Sequence, residues 1–289
     1  MKKIKRVLTV LIAGTILLGG LAGCGNSKAA GKDVTANKSS IAEIKKRGVI
    51  KIGVFSDKAP FGYVDSNGQN QGYDVYIARR FAKDLLGDES KVQFVLVDAA
   101  SRVSYLETNK VDIIMANFTV TDERKQKVDF ANPYMKVSLG IVSPDNAKIT
   151  SVDQLKDKKV IVAKGTTAET YFTKNYPDIE LVKYDQYSEI FEALRDKRGD
   201  AIANDNTELL AWAKSNPGFT VGVPKLVSED TIAPAVTKGN KELLDWINNE
   251  LTSLGKENFI HKAYNETLKS TYGEGSINDI VIEGGKLEN

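Results

Sequence analysis

The chain has 289 residues, with 40 Lys and Arg against 38 Asp and Glu, one histidine and one cysteine. Its formal net charge of +2 comes from the N-terminus, because residues 1–23 hold four basic side chains and no acidic ones. In the remainder 36 basic residues face 38 acidic ones, which argues against a nucleic-acid-binding surface. A lone cysteine excludes an intramolecular disulfide, and so few soft ligands argue against a zinc site. We expect no metal and no cofactor.

The first 23 residues have the pattern of an export signal. A basic start is followed by an apolar run over Val7–Leu18 and by small residues that lead to Cys24. The sequence Leu-Ala-Gly-Cys that ends there is typical of a bacterial lipobox, whose cysteine is lipidated. A plain transmembrane anchor is the alternative, but the apolar run is short for a span of about 20 residues. We predict a signal peptide over 1–23, a lipid anchor on Cys24 and an extracytoplasmic, membrane-attached protein.

Residues 24–40 are rich in Gly, Ser, Asn, Ala and Lys and lack apolar periodicity, which predicts a flexible tether. From Ile41 onward, helical patterns alternate with apolar runs of strand length. The predicted elements are helices over Ile41–Arg47, Asp74–Leu86 and Val103–Thr108, and strands over Val49–Phe55, Val92–Val97 and Val111–Ala116. Asp74 is a candidate N-cap and Gly87 a stop signal. This repetition predicts a parallel sheet covered by helices.

The alternation begins again after residue 150. The predicted elements are helices over Ser151–Lys156, Thr167–Asn175, Ser188–Arg195, Asn206–Lys214 and much of Lys241–Tyr272, and strands over Lys159–Ala163, Leu181–Tyr184 and Ala201–Asn204. The apolar segments Ser138–Ser143 and Thr231–Val236 are candidate connecting strands. The pattern predicts an α/β fold of two lobes joined by a two-strand hinge. We place the first lobe at 41–137 with 228–289 and the second at 138–227.

Polar side chains gather where four predicted strands end, and ligands bind at such ends in parallel α/β sheets. The candidates are Phe61, Tyr63, Asn117, Thr119, Arg124, Thr166, Thr167 and Asp205. An arginine fork suits a carboxylate, the free N–H groups of a Gly-Thr-Thr turn at a helix start suit an anion, and an aspartate suits an ammonium group. Together these residue types match a zwitterion held from two sides.

Each candidate also has a purely structural interpretation. Thr166 with Glu169 makes a capping box that is useful to any helix, and Asp205 is a possible cap of the next helix. Arg124 is a possible solvent-exposed residue of a short helix, and the two aromatic candidates are possible core residues. His261, the one histidine, lies in an amphipathic helical stretch where a surface or half-buried position is expected.

Several segments resemble the polar amino-acid-binding proteins of ABC importers. They are Gly-Tyr-Asp at 72–74, Asn-Phe-Thr-Val-Thr-Asp-Glu-Arg at 117–124, Val-Asp-Phe-Ala-Asn-Pro-Tyr at 128–134, Lys-Gly-Thr-Thr-Ala at 164–168 and Asn-Asp-Asn at 204–206. Other segments resemble the cysteine-binding lipoproteins of that family. They are Phe-Gly-Tyr-Val-Asp at 61–65, Val-Gln-Phe-Val-Leu-Val-Asp-Ala-Ala-Ser-Arg at 92–102, Asp-Lys-Arg-Gly-Asp-Ala at 196–201 and Val-Ile-Glu-Gly-Gly-Lys at 281–286.

The resemblance implies a periplasmic-binding-protein (Venus flytrap) fold whose lobes close on a free amino acid, with cysteine as the first choice. It implies ABC permease subunits as partners, a monomeric state and no catalytic residues. By this resemblance Arg124 would hold the ligand carboxylate, helped by backbone N–H groups near Thr119 and Thr166. Asp205 would hold the ligand amine, helped by Thr119 and the Asn117 carbonyl.

The side-chain pocket is less determined by the resemblance. Arg102 matches a position that reaches the ligand side chain in branches that bind acidic amino acids, and here it keeps the residue type. Phe61 and Tyr63 would form part of an aromatic wall, for which Phe55 or Asp57 are alternatives. Cystine, aspartate and glutamate therefore stay open as ligands.

Two other classes of protein are compatible with the fold. Some periplasmic dehydratases share it, but the pocket shows few carboxylates for acid or base catalysis beyond Asp205 and Asp57. A surface adhesin without a ligand would leave Arg124 and Asp205 without a purpose. We therefore predict a binding protein rather than an enzyme.

Overall fold

The structure, a computed structural model, describes residues 39–287, which belong to one compact unit. The predicted signal peptide, the predicted lipidation site Cys24 and nearly all of the predicted tether lie outside the described residues. Within 39–287, no helix has both the length and the apolar character that a membrane crossing requires.

The strands form two five-stranded sheets, a two-stranded sheet and a three-stranded sheet. The strands are β1 Ile50–Val54, β2 Asp57–Lys58, β3 Gly62–Val64, β4 Asn70–Gln71, β5 Val92–Leu96, β6 Ile113–Ile114, β7 Val128–Phe130, β8 Met135–Val137, β9 Leu139–Pro144, β10 Lys159–Ala163, β11 Glu180–Tyr184, β12 Ala201–Asp205, β13 Phe219–Val223, β14 Asp230–Ile232 and β15 Ala235–Thr237. The large sheets have the orders β5-β1-β6-β15-β7 and β11-β10-β12-β9-β13, one in each lobe.

Helices cover these sheets. They are α1 Ile41–Arg47, α2 Tyr73–Leu86, α3 Arg102–Glu107, α4 Asp122–Lys125, α5 Thr167–Asn175, α6 Tyr187–Arg195, α7 Asn206–Ser215, α8 Lys241–Gly255, α9 Phe259–Thr267, α10 Lys269–Tyr272 and α11 Ile277–Ile280. Short 3₁₀ turns lie at Glu89–Lys91, Asp145–Ala147, Val152–Leu155 and Glu283–Gly285. The two-lobed α/β fold predicted from the sequence is confirmed.

Each large sheet is mixed rather than purely parallel. β1 pairs in parallel with β5 and β6, and β10 with β11 and β12. In contrast, β15 runs antiparallel to β6 and β7, and β9 runs antiparallel to β12 and β13. The strands predicted to form a parallel sheet do pair in parallel, and antiparallel pairing enters each sheet through β9 and β15. Because β9 and β15 each follow a hinge strand directly, they enter their sheets without the helical crossover that parallel pairing needs.

The hinge is the two-stranded sheet. β8 and β14 pair antiparallel, with Met135 opposite Ile232 and Val137 opposite Asp230. β8 leads into β9 and β14 leads into β15, so the chain passes between the lobes twice. The hinge strands lie slightly before the connecting strands predicted from the sequence. The lobe limits given above stay a prediction.

The N-terminus of α2 differs from the predicted one. The N-cap is Gly72, with φ 114°, and Asp74 lies inside the helix. The Asp74 carboxylate instead accepts hydrogen bonds from the backbone N–H of Asn117 at 2.8 Å and from the Tyr134 hydroxyl at 2.7 Å. It therefore ties α2 to a turn at the cleft and to the start of the hinge. Gly87 ends the helix in the left-handed region, as predicted.

Apolar side chains form three buried clusters. The first joins the β1 sheet to α2, α8 and α9, and the third joins the β10 sheet to α5. The second cluster contains residues of both lobes, and in it the rings of Phe55 and Tyr187 meet edge to face at 5.1 Å. Each lobe thus has its own core, and the second cluster joins the lobes beside the polar cleft.

Candidate functional site

Arg124 lies at one end of the cleft and contacts both lobes. Thr121 caps α4 with its hydroxyl and thereby places Arg124 in the first turn after β6 and its loop. The guanidinium donates to the carbonyl oxygens of Thr119 at 2.7 Å and of Gly165 at 2.9 Å. These contacts use two of its five N–H donors, so the fork keeps donors for a carboxylate. Burial and the nearby Arg102 lower the pKa of Arg124 to about 9, which leaves it protonated at neutral pH.

The N-terminus of α5 faces this arginine from the second lobe. Thr166 is the N-cap, and its hydroxyl accepts from the Glu169 N–H and donates to the Ala163 carbonyl. The Glu169 carboxylate accepts from the Gly165 N–H. The predicted capping box is thus present, except that the Glu169 side chain binds the N–H of Gly165 rather than that of Thr166. Among the described residues, the backbone N–H groups of Thr166 and Thr167 have no partner. They are the groups that a helix start offers to an anion.

Arg102 is buried, and nearly all of its N–H groups donate to backbone carbonyl oxygens. It donates to the carbonyls of Ala99, Ala116, Asn117 and Gly165 at 3.0–3.2 Å, which occupies four of its five N–H groups. The Phe118 ring lies 4.4 Å from its Cζ. A two-point grip on a second ligand carboxylate would need two free donors. Arg102 thus lacks the free donors for such a grip, and its contact with a ligand side chain stays a prediction.

Gly165 packs closely against Ala100 of the first lobe. Its φ is +74°, and a Cβ built there would lie 2.5 Å from the Ala100 Cα. Its carbonyl oxygen accepts from both Arg102 and Arg124. Glycine is required here because both the left-handed backbone and the contact with Ala100 exclude a side chain.

Asp205 lies across the cleft, at the end of β12. It is the N-cap residue of α7, but its side chain makes no capping hydrogen bond. The carboxylate instead accepts from the Nζ of Lys58 at 2.8 Å. Lys58 belongs to β2 of the first lobe and is completely buried. The two lobes are thus joined by an ion pair at the residue predicted to bind an ammonium group.

Two more groups of the second lobe surround the Lys58 ammonium. The Glu208 carboxylate lies 3.2 Å from Nζ, and Nζ donates to the Tyr187 hydroxyl at 3.2 Å. Burial opposes the charge of Lys58, but the Asp205 and Glu208 carboxylates outweigh it and raise the pKa of Lys58 above its usual value. Burial also raises the pKa of Glu208 to about 7, against the effect of the ammonium.

The aromatic groups near these charges differ from the predicted ones. Phe61 is fully buried in the core of the first lobe, at 6.5 Å from the Tyr272 ring. Tyr63 is half-buried on β3, opposite Asp57. The structure brings Phe55 to the charges instead, since its ring lies 5.5 Å from both the Lys58 Nζ and the Arg102 Cζ. Phe55 was the named alternative.

Asp57, the other named alternative, links the lobes. Its carboxylate accepts from the Ser188 N–H at 3.0 Å, near the start of α6.

Asn117 and Thr119 are buried close to Arg102 and Arg124. Asn117 has φ 43°, and its side-chain oxygen is buried without a hydrogen-bond partner among the described residues.

A cavity of about 560 Å³ opens beside Arg124 between the lobes, with Phe118, Leu139, Gly165 and Thr167 in its lining.

His261 is far from these residues in sequence and lies on α9, where its Nδ1 is 2.7 Å from the Glu283 carboxylate. Within the described residues, no group of His, Cys, Asp and Glu is arranged to hold a metal ion.

Sequence reasoning missed Lys58 and Glu208. Lys58 directly follows the alternative candidate Asp57 at the end of a predicted strand, which was a usable signal. Glu208 follows Asp205 by three positions at the start of a helix, where such a spacing places two side chains on one face. A second carboxylate on that face was therefore visible in the sequence.

Residues 50–270 match the family of bacterial extracellular solute-binding proteins, family 3. The chain belongs to this family. It is therefore an extracytoplasmic solute-binding protein and not an enzyme, as predicted.

Solved structures of high similarity include the cysteine-binding protein from Campylobacter jejuni, with 57% identity, a TM-score of 0.83, and coverage of 84% of this chain and 98% of that one. The solute receptor for L-cysteine of Neisseria gonorrhoeae has 54% identity, a TM-score of 0.83, and coverage of 84% and 100%. The ABC transporter glutamine-binding protein GlnH of Bacillus subtilis (strain 168) is 32% identical over 276 residues, or 95% of this chain and 100% of the relative.

Proposed function

We propose that this chain binds free L-cysteine between its lobes as the solute-binding component of an amino-acid ABC importer, and that the closed form delivers it to the permease subunits. The observation that carries this proposal is the pairing of opposite charges across the cleft. Arg124 and the free N–H groups of Thr166 and Thr167 lie at one end of the cleft, and Asp205 lies at the other end. Such a pair fits the carboxylate and ammonium of one amino acid.

The choice of cysteine is supported by similarity and by the contents of the cleft. The two cysteine-binding relatives share 54% and 57% identity with this chain, against 32% for the glutamine-binding one. The buried side chains of Lys58, Arg102 and Phe55 fill the inner cleft, which favours a short ligand side chain. Four of the five Arg102 donors are already used, which disfavours aspartate and glutamate.

The proposed mechanism is ligand-stabilised closure about the β8–β14 hinge. A ligand that contacts Arg124 in one lobe and Asp205 in the other binds the closed form more tightly than the open one, and therefore shifts the population toward closure. Permease subunits would distinguish the closed form from the open form. A monomer suffices for this cycle, because both halves of the site come from one chain.

We further propose that the mature chain begins at Cys24, carries a lipid there and is tethered by residues 24–40 to the cell membrane, at its outer face or on its periplasmic side. The lipobox pattern and the basic and apolar segments before it support this. Mass spectrometry of the protein from its native membrane tests it, since a diacylglycerol on Cys24 and loss of residues 1–23 are expected. An intact N-terminus would contradict it.

Thermal unfolding against the twenty amino acids and cystine, with and without reductant, tests the ligand. A ligand at 100 times its Kd stabilises the folded state by about 2.7 kcal/mol, which is easily detected. We expect a shift with cysteine that Arg124→Ala and Asp205→Ala abolish. Arg198→Ala is the matched control, because Arg198 forms an exposed ion pair with Asp196. A shift with aspartate or glutamate would replace cysteine as the ligand, and no shift with any amino acid would contradict the proposed function.

A further inference from the structure

Three charged groups meet at the inner end of the cleft. The Nζ of Lys58 lies 2.8 Å from Asp205 and 3.2 Å from Glu208, and all three side chains are buried. Their formal charges sum to −1 when Glu208 is ionised. This cluster thus holds one carboxylate more than the ammonium of Lys58 requires.

We propose that Glu208 is a positioning residue that keeps the Lys58 ammonium paired while Asp205 binds the ammonium of the ligand. This inference rests on the proposed function, because it assumes that an amino acid places its ammonium group at Asp205. The ligand and Lys58 compete for the same carboxylate, and Glu208 supplies the second one. With the ligand bound the cluster is neutral, which lowers the cost of keeping these charges buried.

The surroundings of Glu208 fit this role. It lies one helical turn after Asp205 on α7, so both carboxylates face Lys58 from the same helix start. The Asn204 side-chain amide donates to Glu208 and fixes the carboxylate. The other titratable groups that act on Glu208 are Asp57 on β2, Tyr187 on α6 and Tyr272 on α10. Charged groups that act on Lys58 or Asp205 are Asp74, Arg102, Arg124 and Asp230. Of the charged groups that act on Glu208 itself, only Lys58 is a cation and favours its ionised form.

Charge-compensating variants provide the test. Glu208→Gln leaves Lys58 to share Asp205 with the ligand, so a buried positive charge stays unpaired, and we expect the Kd for cysteine to rise about 100-fold. The double variant Lys58→Met/Glu208→Gln frees Asp205 and restores the charge of −1. We expect its Kd to return to within about fivefold of wild type.

The pH dependence gives a second readout that a merely structural residue would not produce. Ligand binding adds a positive charge beside Glu208, so binding releases a proton when Glu208 starts out protonated. We expect the wild-type Kd to fall about tenfold from pH 6 to pH 8. The double variant, which lacks the carboxylate, should show a flatter profile under the same ionisation of the ligand.

The outcomes separate the inference from the proposed function. If the wild type binds cysteine and Glu208→Gln binds it with the same Kd, the role of Glu208 is overturned while cysteine binding stays intact. The same holds if the double variant binds cysteine at least as weakly as Glu208→Gln does. If Glu208→Gln does not fold, the wild-type pH profile and the double variant decide, and a flat wild-type profile overturns the inference. Absence of any amino-acid binding by the wild type would overturn both.

Discussion

Gly165→Ala is expected to weaken ligand binding by obstructing closure. Gly165 belongs to the second lobe, and a Cβ added to it would lie 2.5 Å from the Ala100 Cα and 2.7 Å from the Ala100 N in the first lobe. Non-bonded carbon atoms prefer separations of about 3.5–4.0 Å, so the lobes would have to part by roughly 1 Å at this point. The substitution thus acts on the distance between the lobes and removes no ligand-binding side chain.

The magnitude follows from the contacts that this displacement breaks. The Gly165 carbonyl accepts from Arg102 at 3.1 Å and from Arg124 at 2.9 Å, and a hydrogen bond from a charged donor contributes about 1.5–3 kcal/mol. A net loss of about 2 kcal/mol from the closed form corresponds to an increase in Kd of about 30-fold. Isothermal titration with the amino acid identified by thermal unfolding measures this, and small-angle scattering reports whether the bound protein stays less compact.

Gly68→Ala is the matched control. Gly68 has φ +75°, against +74° for Gly165, but an added Cβ would have no atom within 4 Å. Both variants therefore carry the same cost of about 1 kcal/mol for a left-handed alanine, while only Gly165→Ala obstructs the other lobe. A Kd for Gly165→Ala within threefold of that for Gly68→Ala would refute the proposed contact between Gly165 and Ala100 in the bound state.

Three further predictions concern single groups. Arg124→Lys keeps the charge but loses the planar fork, so the Kd should rise about tenfold or more in titration calorimetry, whereas Arg198→Lys should have no effect. Burial raises the pKa of Asp74 to about 7, so ionisation of this group lowers the stability of the folded protein as pH rises from about 4 to about 7, by about 4 kcal/mol. Urea unfolding of Asp74→Asn should lack this decrease. Parallel curves of stability against pH for the wild type and the variant would contradict the prediction. The Tyr272 hydroxyl donates to the Thr207 carbonyl at 2.7 Å and so joins the lobes. Tyr272→Phe should therefore raise the Kd about fivefold, and an unchanged Kd would mean that this hydrogen bond does not stabilise the closed form.

The secondary structure was largely predictable because it depends on local periodicity. The helix over Thr167–Asn175 and the strand over Lys159–Ala163 have the predicted limits. The direction of β9 and β15 was not predictable in this way, because it is set by the hinge strand before each of them. Asp74 was assigned as an N-cap for the same reason: its true partners, Asn117 and Tyr134, lie more than 40 residues away.

Some residues of the candidate site were predictable from local sequence and others were not. Arg124, Thr166 and Asp205 follow strands, so the topology of an α/β sheet brings them to the cleft without further information. Lys58 also follows a strand, which indicates its place near the cleft, but its burial was not predictable because a lysine near a strand end is ordinarily exposed. Its ammonium is buried because Asp205, 147 residues later, and Glu208 lie opposite it once the lobes meet.

The charges in the cleft explain why closure can depend on a ligand. Two of the three apolar clusters lie within single lobes, whereas Lys58, Arg102, Asp205 and Glu208 are buried where the lobes meet. Removing such groups from water is costly unless each finds a partner of opposite charge or enough hydrogen bonds. In the proposed complex an amino acid supplies a carboxylate to Arg124 and an ammonium to the acidic cluster that holds one negative charge in excess. A solute without charged groups, or with only one, would leave one or both ends of the cleft unpaired, so selection for a zwitterion follows from the charge balance of the closed form.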